Sequence, residues 1–503
     1  MDRKWWTLLA TCVATFMLLL DITIVNVALP SIQSDLHASF SDLQWVVDAY
    51  SLMLAAVLLT AGSLGDRLGR RRIFIAGFAI FSGASLLCGL SHSPTVLNLA
   101  RGLQGIGGSA MFATTLALIA QEFRGPDRAT AFGIWGATIG GAVAIGPLVG
   151  GAITDAFGWE WIFFVNVPIG IAAIALTQRK VAESRAPDTA PIDWPGVATF
   201  SAALFLLVYG LVRGNPDGWS SGHIVGSLIA SMLLLLAFLV IEWRSSHPML
   251  ELGLFRKPAF AGVSLVAFGL SASMFAMFLY LTIYVQNVLG FTPLEAGVRF
   301  LPITVVSFFV APLAGQLLTR IPARVFFGLG LSLVGTGLLL MRGLSPGSEW
   351  TALLAGFIVA GAGIGMTNPA IASTAVGVVS AAKAGMGSGI NNTCRQVGIA
   401  TGVAALGAIF QTDIQSRLPS SAPSGSAQGI ASAGPHVAAA GGPAAVHDAT
   451  AAFVGALNEL FLIGGIVAFT AAALGLLLVR ERDMVPHGVP EGTTERAEEP
   501  AAA

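Results

Sequence analysis

Apolar runs of about 20 residues, the length that crosses a hydrocarbon layer as a helix, recur along most of this 503-residue chain and are separated by short polar links. Read with a window of about 19 residues, the pattern predicts fourteen spans. They lie near 7–29, 43–64, 73–90, 95–117, 130–152, 161–178, 195–213, 223–243, 259–283, 296–318, 324–342, 351–372, 389–410 and 451–479. The fold class that follows is an all-α integral membrane protein. Two segments break the pattern. Residues 411–450 are rich in Ser, Ala, Gly and Pro and are expected to form a flexible external loop. Residues 481–503 carry Glu491, Glu495, Glu498 and Glu499 and are expected to be a disordered cytoplasmic tail.

Composition agrees with this pattern. Hydrophobic residues make up 55% of the chain and charged residues 11%, against roughly 25% charged in ordinary soluble domains. The net charge of -1 gives no footing for a nucleic-acid partner. Cys12, Cys88 and Cys394 all fall inside apolar runs, which suggests small packing residues and neither a disulfide framework nor a thiolate metal cage. Arg3 and Lys4 precede the first apolar run as in a secretory signal, but the run is long and contains Asp21, so it reads as an uncleaved first span. Cytoplasmic loops are enriched in Lys and Arg. With the N-terminus inside, that side collects 20 of the 26 basic residues; the opposite side collects Arg213, Arg299, Arg342 and Arg417, and Arg101 and Arg395 lie within spans. Both termini are therefore expected in the cytoplasm, with an even number of spans.

The charges inside the spans carry the chemistry. An ionisable group in hydrocarbon is costly, and by default it marks a proton or substrate site. At about 1.5 Å per residue, Asp21 and Arg101 lie at matching depths of the first and fourth spans and are expected to pair as a proton-coupling site. Asp48 lies nearer the outer end of the second span, Glu459 is expected about 12 Å below the outer end of the fourteenth, and Arg395 lies in the inner part of the thirteenth; all three are candidates for coupling or substrate contact. Trp45, Trp135, Phe275, Phe278 and Tyr280 are available to line a drug cavity, although lipid-facing or core packing is the more common role of any one aromatic residue in a span.

A weak internal repeat links residues 62–72 with residues 315–324, in which Gly, Leu and two Arg recur in register. Repeats of this kind typify secondary transporters. The expected layout is 6 + 2 + 6: a six-helix bundle at 1–192, an inserted pair at 193–258 and a second six-helix bundle at 259–480. In residues 62–72, Gly62, Gly65 and Gly69 let helix ends approach closely. Asp66 can accept hydrogen bonds at a neighbouring helix N-terminus, and Arg67 and Arg70 can pair with acids or lipid phosphates, so the loop can latch two bundles in one state. Gly136, Gly140, Gly146, Gly150 and Gly151, with Pro147 among them, permit close helix packing and a local kink in the fifth span.

These motifs carry a resemblance. Residues 62–72 resemble the signature loop of the major facilitator superfamily. Arg101-Gly102-Leu103-Gln104-Gly105 is similar to its fourth-span signature, and the glycines from Gly136 to Gly151 match the fifth-span pattern of its antiporters. Residues 21–30, Asp193-Trp194-Pro195-Gly196, 286–302 and 389–398 resemble the branch of fourteen-span drug:proton antiporters. The resemblance implies the major facilitator fold in a cell membrane and antiport of a small-molecule drug against protons. It implies a chain among membrane lipids that works as a monomer, with protons as the coupling ion and no cofactor or metal. Three buried acids against two buried bases lean toward cationic or zwitterionic cargo. A transporter of an endogenous metabolite is the alternative. A membrane sensor or enzyme is disfavoured, because no soluble domain, metal-ligand cluster or nucleophile elbow is present in the sequence.

Overall fold

A computed structural model describes residues 2–123, 126–185, 193–246, 248, 250–318, 320–379, 384–419 and 425–480. Among them there is helix and no strand. This is the arrangement hydrocarbon requires, because a helix satisfies its backbone polar groups internally.

The first helices are α1 (Arg3–Leu36), α2 (Phe40–Leu68), α3 (Arg70–Gly89), α4 (Pro94–Glu122), α5 (Pro126–Phe157), the short α6 (Trp161–Phe164) and α7 (Asn166–Lys180). Then follow α8 (Trp194–Asp217) and α9 (Gly222–Arg244). A nearly continuous rod comprises α10 (Pro258–Leu270) and α11 (Ala276–Ile283), with π-helical turns at Ser271–Phe275 and Tyr284–Val288. The last helices are α12 (Pro293–Leu317), α13 (Ala323–Leu340), α14 (Leu354–Gly377), α15 (Ala384–Arg417), α16 (Ser426–Ala433) and α17 (Gly442–Leu478).

Local sequence sets where these helices start. Ser39 and Asp42 form a capping box on α2, and Thr292 and Glu295 form one on α12; each satisfies two otherwise orphaned N–H groups reciprocally. Ser93 and Asp193 cap α4 and α8, with proline in the first turn, where a missing N–H costs nothing.

Among the described residues, twelve helices are long and apolar enough to cross a membrane, and a thirteenth is added if α2, bent by 50° near residue 59, is counted as one span. The expected span at 130–152 falls on α5, of which Ile145–Phe157 stands out as a shorter apolar helix. The tail from 481 lies outside the described residues.

Within the N-terminal part, α2 and α3 pack on α4, and α1 packs on α5, α4 and α7. In the C-terminal part, α13 and α10 pack on α17, and α14 packs on α12 and α13. The two parts meet along α2 with α15, α5 with α12, and α1 with α11, while α8 and α9 pair with each other and α8 lies against α2 and α15.

The described residues of 411–450, namely 411–419 and 425–450, differ from expectation. α15 runs on to Arg417 and α17 begins at Gly442. Between them α16 buries Ala427, Ile430 and Ala431, and a 3-10 helix spans Pro435–Gly441. Burial of these small apolar side chains over the ends of α1, α2 and α15 orders what composition alone reads as a flexible loop.

Candidate functional site

Asp21 and Arg101 meet inside the N-terminal bundle. Arg101 Nη1 donates to Asp21 Oδ2 at 2.5 Å, with the two side chains only 2% and 1% exposed. Gln104, one turn on from Arg101 and so on the same face of α4, donates from Nε2 to Asp21 Oδ1 at 2.7 Å and accepts from Arg101 Nη1 at 2.6 Å. Arg101 Nε donates to the Val46 carbonyl at 2.9 Å, and its guanidinium lies 4.5 Å from the Tyr50 ring centroid. Gln104 also donates to Ser85 Oγ at 2.9 Å. Four helices thus converge on one carboxylate whose oxygens both have donors. Closing such a pair gains little net, but removing one partner leaves a stranded charge.

Asp48 has the opposite environment. It is fully buried, and neither carboxylate oxygen has a hydrogen-bond partner among the described residues. Around it lies the α2–α15 seam, where Gln44 Nε2 donates to the Val403 carbonyl at 3.0 Å and Tyr280 Oη donates to the same carbonyl at 2.6 Å. Further along the same end, Gln286 Nε2 reaches the Val27 carbonyl at 2.6 Å and Asn287 Nδ2 the Ser432 carbonyl at 3.1 Å. Gln44 and Gln286 therefore bind the two parts together at the end of the bundle away from Arg3 and Lys180. At the end that carries Arg3, Arg70 and Lys180, the side-chain bonds of Arg3, Lys4 and Arg70 and the backbone N–H bond of Arg71 to Glu183 stay within the N-terminal part.

Between the parts lies a narrow, apolar-lined cavity. Ile22, Thr23, Asn26 and Val27 of α1 line it, with Val47, Pro147, Phe275, Phe278, Phe300 and Ile399 among the residues facing them. Asp21 lies behind this wall, since its neighbours Ile22 and Thr23 line the cavity while its own side chain is turned into the bundle. Of the aromatic candidates, Phe275 and Phe278 line the cavity. Trp45 packs on Phe205 of α8, Trp135 donates to Thr15 Oγ1 at 2.8 Å, and Tyr280 belongs to the seam.

The glycines of α5 act by proximity. A Cβ on Gly150 would stand 2.9 Å from Ile24 Cα, and one on Gly146 would overlap the Thr23 side chain. On the far side, a Cβ on Gly151 would overlap the Pro293 carbonyl oxygen, and one on Gly297 of α12 the Pro147 carbonyl oxygen. Two helices thus cross through reciprocal glycines, as small-residue interfaces in membranes do. Gly136 and Gly140 fall on the same helix, with their surroundings outside the described side chains.

In the 62–72 loop, Asp66 pairs with Arg70 at 2.7 Å, and its hydrogen bond goes to Arg70 rather than to a helix of the other part. Gly65 packs on Thr114, Gly62 on Ala113, and Arg67 is exposed. Gly69 turns the chain at φ +115°, and Glu183 accepts from Arg71 N at 3.1 Å beside it. Gly69→Ala would require both that left-handed φ and a Cβ 2.6 Å from the Glu183 carboxyl carbon. A loss of about 1–3 kcal/mol is expected, read as a lower Tm of the purified protein.

Glu459 lies elsewhere than expected. Because α17 starts at Gly442 and not near residue 451, Glu459 is level with the turn that follows α13, 3.5 Å from Arg342 and 3.8 Å from Arg417, with its side chain 36% exposed. It belongs to an ion-paired surface and not to the bundle interior. Arg395 stands 5.8 Å from the Phe275 ring centroid, half-buried, one turn before Ile399 on α15. No group of three or more His, Cys, Asp or Glu among the described residues is placed to hold a metal ion. Gln104 and Gln286 stand within stretches already singled out in the sequence, at 101–105 and 286–302, whereas Gln44 and Glu183, which make contacts of the same kind, carry no signal there.

The family profile of the Major Facilitator Superfamily matches residues 11–403. The chain belongs to the major facilitator superfamily. This facilitator is 37% identical over 405 residues to "Multidrug resistance protein Stp" of Mycobacterium tuberculosis (strain CDC 1551 / Oshkosh), covering 80% of this chain and 75% of that one. It is 34% identical to "Tetracenomycin C resistance and export protein" of Streptomyces glaucescens, covering 94% and 91%. It is 36% identical to "Puromycin resistance protein pur8" of Streptomyces alboniger, covering 81% and 82%. Its fold is similar to that of a bacterial homologue of the human lysosomal transporter Spinster, with a TM-score of 0.62 at 18% identity over 96% of this chain and 99% of the other.

Proposed function

We propose that this facilitator is an antiporter that exports amphipathic antibiotics or other toxic compounds across the cell membrane in exchange for protons. Its fourteen spans would be arranged as two six-helix halves, 1–192 and 259–480, with the 193–258 pair inserted and α5 counted among the spans. Both termini would lie in the cytoplasm, placing the basic end inside, as the positive-inside rule requires. The resistance and export proteins it resembles support the cargo class.

The observation that carries the proposal is the sealed Asp21–Arg101–Gln104 cluster one residue behind the cavity wall. Cargo pressing on Ile22 and Thr23 moves the helix that carries Asp21. A small shift of α1 changes how far Arg101 and Gln104 can satisfy the carboxylate, and with it the free energy of taking up a proton. Asp48 is a second point of coupling. The outer seam closes over it without giving it a donor, so opening that seam admits water to the carboxyl group. The 62–72 loop would act as the latch of the opposite end when Asp66 leaves Arg70.

Inside-out membrane vesicles test the reading. An acid interior should drive accumulation of substrates found in an antibiotic-susceptibility panel, and a protonophore should abolish it. Accumulation driven by an alkaline interior would overturn it.

A further inference from the structure

The charge count that leaned toward cationic cargo changes once the side chains are placed. Asp21 is neutralised by Arg101, Glu459 is held by Arg342 and Arg417 at the surface, and Asp48 is sealed in the α2–α15 seam. One charge beside the cavity is left. Arg395 has no hydrogen bond and no ion pair among the described residues, and its only close partner is the face of Phe275, itself part of the cavity wall. An aromatic face attracts a cation but supplies no acceptor for the five N–H donors of a guanidinium. In a membrane interior such a group needs an anion, a carbonyl or water. The partly buried Arg395 side chain adjoins, through Phe275 and Ile399, the wall of a cavity that Ile22, Phe278 and Phe300 also line, so a shift of the Phe275 ring would let a ligand anion reach it.

We propose that Arg395 and Phe275 form the head-group site of the cavity, where a carboxylate or phenolate of the cargo binds Arg395 while an adjoining aromatic body packs on Phe275, Phe278 and Phe300. The cargo class is amphipathic aromatic acids and zwitterions, and permanent cations without an acidic group are disfavoured. This rests on the reading of the cavity as the cargo site, but equilibrium binding requires neither a proton gradient nor export.

The test is binding of three probes of one shape to purified full-length protein at neutral pH, measured by calorimetry: 9-anthracenecarboxylate, its methyl ester, and 9-anthracenylmethylammonium. The carboxylate is expected to bind about tenfold more tightly than the ester, from one charge-assisted contact, and the ammonium more weakly than either. Arg395→Gln should remove the preference for the carboxylate while keeping the affinity for the ester, and Arg395→Lys should retain part of it. Equal binding of carboxylate and ester by the unaltered protein, or tighter binding of the ammonium, overturns the proposal without any variant having to fold. So does an Arg395→Gln protein that keeps the preference. If the probes behave as expected but vesicle transport ignores an imposed pH gradient, the head-group site stands and the antiport reading fails.

Discussion

Asp21→Asn is expected to leave a folded, membrane-inserted protein that no longer concentrates drug against a gradient. The asparagine oxygen can still accept from Arg101 Nη1. Its new N–H group faces Gln104 Nε2, and a flip of the Gln104 amide resolves that clash at the loss of the Arg101 to Gln104 bond. The rearrangement costs about 1–3 kcal/mol, which a large bundle tolerates. What cannot be restored is a titratable oxygen. One proton moving with its charge down 100 mV supplies about 2.3 kcal/mol, enough for a roughly 50-fold gradient of cargo. In vesicles the accumulation ratio of the variant should fall to near one. Arg101→Ala should be worse for the fold, losing about 3–5 kcal/mol by stranding a buried charge. The double variant Asp21→Asn, Arg101→Ala should recover much of that stability and none of the coupling.

Gly297→Leu should shift the balance of conformations. Where α5 crosses α12, Gly297 lies against the Pro147 carbonyl oxygen with Leu148 Cα 3.2 Å from the position of a Cβ, so any side chain must push α12 off α5. Overpacking of this kind costs about 1–3 kcal/mol, or roughly 5- to 150-fold in the population of the closed state at about 1.36 kcal/mol per decade. A state in which α5 and α12 have parted at this crossing does not bear that cost. Labelling of a Leu294→Cys reporter by an impermeant thiol reagent, in a background lacking Cys12, Cys88 and Cys394, should therefore accelerate when Gly297→Leu is added. An unchanged labelling rate would mean that this crossing is not a moving seam.

Much of the architecture can be read from the chain because hydrocarbon imposes one length and one secondary structure on every span. The Asp21 and Arg101 pairing is legible for a related reason: charges in apolar helices are rare, and matching depth leaves them few partners. Uncharged polar groups give no such warning. Gln44 and Gln286 look like ordinary interruptions of apolar helices, yet each caps a backbone carbonyl of the opposite part. The π-turns around Phe275 and Gln286 likewise have no residue signature. They re-aim side chains along α10 and α11, as π-bulges at functional sites often do. Glu459 shows the limit of counting residues from a hydropathy edge. α17 extends beyond its apolar core by more than two turns, so a depth measured from residue 451 buries a side chain that stands at the surface.

In the proposed antiport, the ionisation of Asp21 and the binding of cargo share one free energy. Proton release on ligand addition, followed with a pH indicator in weakly buffered detergent solution, measures that sharing without transport or folding entering the result. The unaltered protein should release protons as a substrate from the susceptibility panel saturates it, and Asp21→Asn should bind the same substrate with that release lost or sharply reduced. Equal release from both proteins would contradict the account.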